Sequence, residues 1–112
     1  MILPSDIRFA DESLKEAFYK LEKGDSSEKE LFRFINQAID NIEKNAFCGI
    51  QVPKKIIPKE YMRKYGAKNL WKYNLPNAWR LIYTLSGSKA VVVSLILEWM
   101  THPEYERRFG YK

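Results

Sequence analysis

Near its N-terminus the chain alternates apolar and polar positions briefly, "IRF" at Ile7 to Phe9, which predicts a short first strand. The period then lengthens. Leu14, Ala17, Phe18 and Leu21 fall at i, i+3, i+4 and i+7 behind Asp11, predicting a capped amphipathic helix that Gly24-Asp25 ends. Ser27 followed by Glu30 has the spacing of a capping box and predicts the start of a second helix. Its apolar stripe is Phe32, Ile35, Ile39, Ile42 and Ala46. Two amphipathic helices joined by a short turn pack as an antiparallel pair, because each has one stripe to bury.

After Phe47 the pattern changes again. Pro53 and Pro58 bracket "KKII", and Pro58 is placed to begin a short helix, "PKEYMRKYG", which Gly66 stops. Three runs rich in β-branched and aromatic residues follow: "NLWKYNL", "AWRLIYTL" and "KAVVVSLILEW", separated by "PN" and "SGS". They predict an antiparallel meander. The last run is apolar on both faces and should be an interior strand covered by helices. The expected order is β-α-α-(short α)-β-β-β-α, a small sheet with helices on one side. That is a single α+β domain over residues 1–112.

The first hairpin turn bears on chemistry. Proline cannot take the positive φ that tight two-residue hairpins require at their first position. A two-residue Pro76-Asn77 loop would put Lys72 and Arg80 on opposite faces, and a longer loop would bring them to the same face.

Composition narrows the class. Apolar residues make up 46% and aromatics 14%, enough to drive folding. The longest apolar run, Ala90 to Leu97 interrupted by Ser94, is well short of the roughly 20 residues of a membrane helix. "MILPSDIRF" lacks the basic start and long apolar stretch of a signal peptide. A lone Cys48 excludes an internal disulfide and fits a reducing compartment, so a cytoplasmic, non-membrane protein is expected. One histidine and one cysteine cannot build a zinc centre, and the scattered glycines form no phosphate-cradling motif; neither metal nor cofactor is expected.

The net charge of +5 is unevenly placed. The first half is acidic on balance. The stretch from 54 to 72 carries Lys54, Lys55, Lys59, Arg63, Lys64, Lys68 and Lys72 against Glu60 alone. Such a block suits a polyanion, whose bound counterions it would release, or is simply a well-solvated surface.

The single histidine lies in "THPEYER", just past the last strand. Thr101, Pro103 and Glu104 make a sound helix start in any protein: a hydroxyl cap, proline in the first turn and an acid at the third position. None of this requires His102. Tyr105 follows three residues on, along the same side of the helix. The positive end of a helix disfavours a cation, so His102 is expected to be neutral there, and the free N–H groups offer an anion site.

With these residues in view, "WRLIY" on the middle strand, the apolar strand after it and "THPEYER" beyond that resemble the RelE/ParE toxin superfamily, most closely its HigB-like branch with a terminal Thr-His-x-Glu-Tyr pattern. The specific part of the likeness covers about the last forty residues. The resemblance implies a RelE-like fold and the toxin of a type II toxin-antitoxin system. It implies an mRNA interferase that cuts mRNA on the ribosome and is held inactive by a cognate antitoxin. It implies that Arg80 faces the scissile phosphate and that His102 and Tyr105 contribute to cleavage. Lys54, Lys55, Arg63, Lys64, Lys68 and Lys72 would hold RNA. Two positions depart from the pattern: Pro103 replaces a small residue, and Glu106 replaces the acid Asp.

The chemistry implied needs no metal. A ribose 2′-OH can attack its own phosphorus if a base, an acid and a cation are at hand. Arg80 would be the cation, His102 the base or acid, and Tyr105 its partner or a stacking surface for a base, with Glu60 as a reserve base. Trp71, Tyr73, Trp79 and Tyr83 are expected in the core or on the sheet surface, and Phe109 and Tyr111 in packing. Two other readings compete. One is a binding module of the same fold without catalysis, such as a ParE-like inhibitor of a DNA enzyme. The other is an interaction protein whose basic strip meets an acidic partner.

Overall fold

The computed structural model describes residues 2–87 and 91–110. Among these, five strands form one mixed sheet, and four α-helices cover it. In chain order they are β1 (Asp6–Phe9), α1 (Glu12–Leu21), α2 (Ser26–Lys44), β2 (Ile50–Gln51), α3 (Lys59–Tyr65), β3 (Trp71–Leu75), β4 (Trp79–Gly87), β5 (Val92–Thr101) and α4 (His102–Phe109). Short 3₁₀ turns at Ala46–Cys48 and Lys54–Ile56 flank β2. The expected α+β order is therefore present, with one strand, the two-residue β2, that the sequence pattern did not predict. The sheet order is β1-β5-β4-β3-β2, antiparallel throughout except for β1, which lies parallel to β5.

Both faces of the sheet are covered, not one as expected. The α1–α2 pair buries Phe18, Leu31, Ile35, Ala38 and Ile42 against Leu75, Leu81, Tyr83 and Ile96. Opposite them, α3 and α4 bury Tyr61, Tyr105 and Phe109 against Ile82, Leu97 and Met100. The apolar doubling of β5 required this second layer: an interior strand with two apolar faces leaves one wet unless helices flank the sheet on both sides. A bulge helps. Ile82 opposes Glu98 while Tyr83 opposes Ile96, so Leu97 is an extra residue, and both Leu97 and Glu98 meet the second layer.

Several local expectations shift. Asp25 caps α2 rather than Ser27: its carboxylate accepts from the Glu28 N–H at 2.9 Å, and the Glu28 side chain returns to the Asp25 N–H at 3.2 Å. The Ser27 hydroxyl donates to Asp25 instead, and Glu30 accepts from Asn77 Nδ2 at 3.0 Å. Asp11 caps α1 through the Leu14 N–H at 2.8 Å, but Ala17 points to solvent. Ala46 is buried past the end of α2. Pro58 is the residue before α3, not inside its first turn. Lys89 and Ala90 of the predicted last strand, Ser88 of "SGS" and Tyr111 lie outside the described residues.

The β3–β4 connection is longer than "PN". Leu75 pairs with Trp79, leaving Pro76, Asn77 and Ala78 between the strands. Asn77 and Ala78 both take positive φ, 60° and 61°, as the centre of a mirror-image tight turn does. Pro76, which cannot adopt that conformation, is the residue before it. With three residues in the loop, Arg80 pairs with Asn74, two places from Lys72, so Lys72 and Arg80 share a face.

Candidate active site

The shared face is the one that carries α4. Arg80 leaves β4 next to the point where β5 runs into α4, since Trp79 pairs with Thr101 and Arg80 with Met100. The chain passes from strand to helix at Thr101, whose hydroxyl and backbone N–H form a capping box with Glu104. The Thr101 backbone N–H is the main reason the Glu104 carboxyl lies below its usual titration range. The β3–β4 turn holds the same junction from the other side: the His102 N–H donates to Ala78 O at 2.7 Å.

This anchoring joins Arg80 to His102. Arg80 Nη2 lies 3.0 Å from His102 Nδ1, and Nη1 donates to the carbonyl of Trp79 at 3.0 Å. The third nitrogen, Nε, is buried with no hydrogen-bond partner among the described residues. A guanidinium has donors only, so its hydrogen bond to Nδ1 needs the bare nitrogen of a neutral imidazole. On the far side of the ring, His102 Nε2 is 3.0 Å from Glu106 Oε1. The His102 side chain keeps 42% of its surface exposed, so the imidazole is open to a ligand.

Tyr105 is placed differently. Its residue is 1% exposed and its ring stacks on Phe109 at 4.3 Å within the second core, leaving no open face for a nucleobase. Met100, Leu97 and Tyr61 belong to the same cluster. The Lys72 ammonium lies 4.7 Å from the centre of the Tyr105 ring, a cation–π contact. The site thus reads as Arg80, His102 and Glu106 near the surface, with Lys72 on the same face of the sheet against the buried Tyr105 ring.

The helix N-terminus is no open anion site, contrary to expectation. The first-turn N–H of His102 is taken by Ala78, Pro103 has none, and that of Glu104 is taken by Thr101 Oγ1.

The basic block lies in the same layer as α4. Lys54 and Lys55 are exposed in the 3₁₀ turn before α3, Arg63 and Lys64 are exposed on α3, and Lys68 is exposed after it, while Lys72 is half-buried. Ile56, Ile57, Tyr61 and Tyr65 fix this segment to the second core. Glu60 is exposed on α3 and borders a cleft with Tyr61, Lys64, Glu98 and Arg108. In that cleft Tyr61 donates a short hydrogen bond to Glu98, and Arg108 Nη1 pairs with the same carboxylate at 2.6 Å. Burial, and then the Glu98 bond, push the Tyr61 phenol well above its usual range. These three groups tie α3 and α4 to the bulge of β5. Sequence pattern did not reveal them, since they are 37 and 47 positions apart. Glu106 was within reach: it stands four residues after His102 on one helix.

Trp71, Tyr73, Trp79 and Tyr83 lie in or against the first core, and Phe109 is buried in the second. Among the described residues no three His, Cys, Asp or Glu side chains come together as metal ligands, and no helix is long and apolar enough to cross a membrane. No protein-family model, curated protein or solved structure matches the chain. The RelE/ParE likeness therefore rests on the residues quoted for it.

Proposed function

We propose that the protein is a metal-independent endoribonuclease, the toxin of a type II toxin-antitoxin system, acting in the cytoplasm on mRNA at the ribosome and neutralised by a cognate antitoxin. The observation that carries this reading is the 3.0 Å approach of Arg80 and His102 at an accessible imidazole, with Lys72 on the same face. These groups answer two needs of a phosphodiester that cleaves itself through its 2′-OH. Arg80 and Lys72 neutralise charge on the non-bridging oxygens. His102 takes the 2′-OH proton as the 2′-oxygen bonds to phosphorus. The P–O5′ bond breaks, and the leaving oxygen takes a proton from solvent. The products are a 2′,3′-cyclic phosphate and a 5′-OH. Tyr105 acts from below as a platform that holds Lys72, rather than as a stacking surface.

The test is cleavage of RNA, free and on programmed ribosomes, in the presence of EDTA. Wild type should cut. Arg80→Ala and His102→Ala should each slow cleavage by at least about 100-fold, the usual contribution of a positioned acid–base group or an oxyanion donor. RNA that is bound but left whole under both conditions supports the non-catalytic binding module instead.

A further inference from the structure

The imidazole of His102 is held at both nitrogens by groups of opposite character. Arg80 can only donate, so Nδ1, 3.0 Å away, must carry the lone pair. Glu106, when ionised, can only accept, so Nε2, 3.0 Å from its carboxylate, must carry the hydrogen. The two contacts agree on one tautomer. They come from different elements, β4 and α4, and the β5–α4 junction that sets His102 beside β4 is held by Ala78 and by the Thr101–Glu104 box.

We infer that Glu106 is the positioning residue for His102, that Nδ1 is the nitrogen that takes the proton, and that Arg80 covers Nδ1 until a phosphate draws the guanidinium away. The proton-transfer part of this rests on the nuclease reading, whereas the tautomer and the role of Glu106 in setting it do not. Once Nδ1 is protonated, both ring nitrogens carry hydrogens, and Arg80 could no longer remain beside it: two donors would meet and two positive charges would adjoin. The phosphate offers the guanidinium its replacement acceptor. Removal of Arg80 from Nδ1 and binding of Arg80 to the substrate are thus one event, which exposes the base only where there is something to cleave. Glu106 stays in place throughout and compensates the imidazolium that forms.

His102 is the only histidine, so its isotope-labelled ring nitrogens give one unambiguous NMR signal pair. At mildly alkaline pH the protein should show a proton on Nε2 and a bare Nδ1; a proton on Nδ1 overturns the inference. In Glu106→Ala the Nε2–H signal should broaden through exchange with water, and in Glu106→Gln it should persist, because the amide oxygen still accepts. An Nε2–H signal unchanged in Glu106→Ala overturns the role of Glu106. With RNA as substrate, Glu106→Ala should lower kcat by about 10- to 100-fold at unchanged KM, in the range seen for groups that orient a histidine. Wild-type kcat in that variant also overturns it. Should the wild-type protein cut no RNA, the proposed activity fails while the spectra still decide the tautomer.

Discussion

At the scale of single residues, the site depends on a strained one. Ala78 has φ of 61°, where its Cβ crowds the following carbonyl, and its own carbonyl holds the His102 N–H. Glycine adopts that conformation without the clash. Ala78→Gly should therefore raise stability by about 0.5–1 kcal/mol, read from thermal or denaturant unfolding, despite the greater freedom it gives the unfolded chain. A loss of stability would show that the turn relaxes in solution. Its neighbour Asn77 tolerates the same conformation and is further tied to α2 through Glu30. His102, Arg80 and the Thr101–Glu104 cap were each legible as residues in the sequence. That Arg80 and His102 come together was implied by the family resemblance alone and not by periodicity or spacing, because it depends on strand register and on a turn of three residues.

At the scale of elements, two helices begin with acidic capping boxes. The Asp25 carboxyl is held below its ordinary range mainly by the Glu28 backbone N–H, and the Glu104 carboxyl mainly by that of Thr101. For a carboxyl with a depressed folded value the sign is fixed: its contribution is fully present above the unfolded pKa and lost as pH falls through the folded one. Helical content measured by circular dichroism should hold at neutral pH and decline below the ordinary carboxylate range. Asp25→Asn combined with Glu104→Gln keeps hydrogen-bonding side chains at both caps while removing the titration, so its acid transition should be shallower. An identical transition would place acid sensitivity elsewhere. The helices themselves were readable because a 3.6-residue stripe needs no partner to be recognised. The cap of α2 was placed two residues late because Ser27 with Glu30 and Asp25 with Glu28 share the same spacing, and only the backbone geometry at Asp25 separates them.

At the scale of the whole molecule, charge and fold are arranged together. The acidic first half forms β1 and the α1–α2 layer, while the basic segment is carried with α3 in the layer that holds α4. A polyanion approaching Arg80 therefore meets the face where Lys72 and α3 lie. Binding of a single-stranded RNA should weaken linearly in log K against log salt, and removing Arg63 or Lys64 should each reduce the slope by about 0.7 if that side chain meets a phosphate. An unchanged slope in both variants would leave those two as solvated surface, and a slope of zero in wild type would remove the RNA reading altogether.

What the sequence determined by itself was every element but the two-residue β2, their order, the three strands of the meander, the cap of α4 and the candidacy of Arg80 and His102. Each of these is written in local periodicity or in residue chemistry. Only the tertiary structure decided that β1 pairs parallel with β5, that helices cover both faces of the sheet, and that Tyr105 is buried beneath Lys72. It also decided that Arg80 meets His102 while Glu106 holds the ring from behind. The physical reason is that these are non-local contacts. They depend on register, on a one-residue difference in a turn and on which face a bulge turns inward, and a shift of one residue in any of them sends the same side chains to the opposite side.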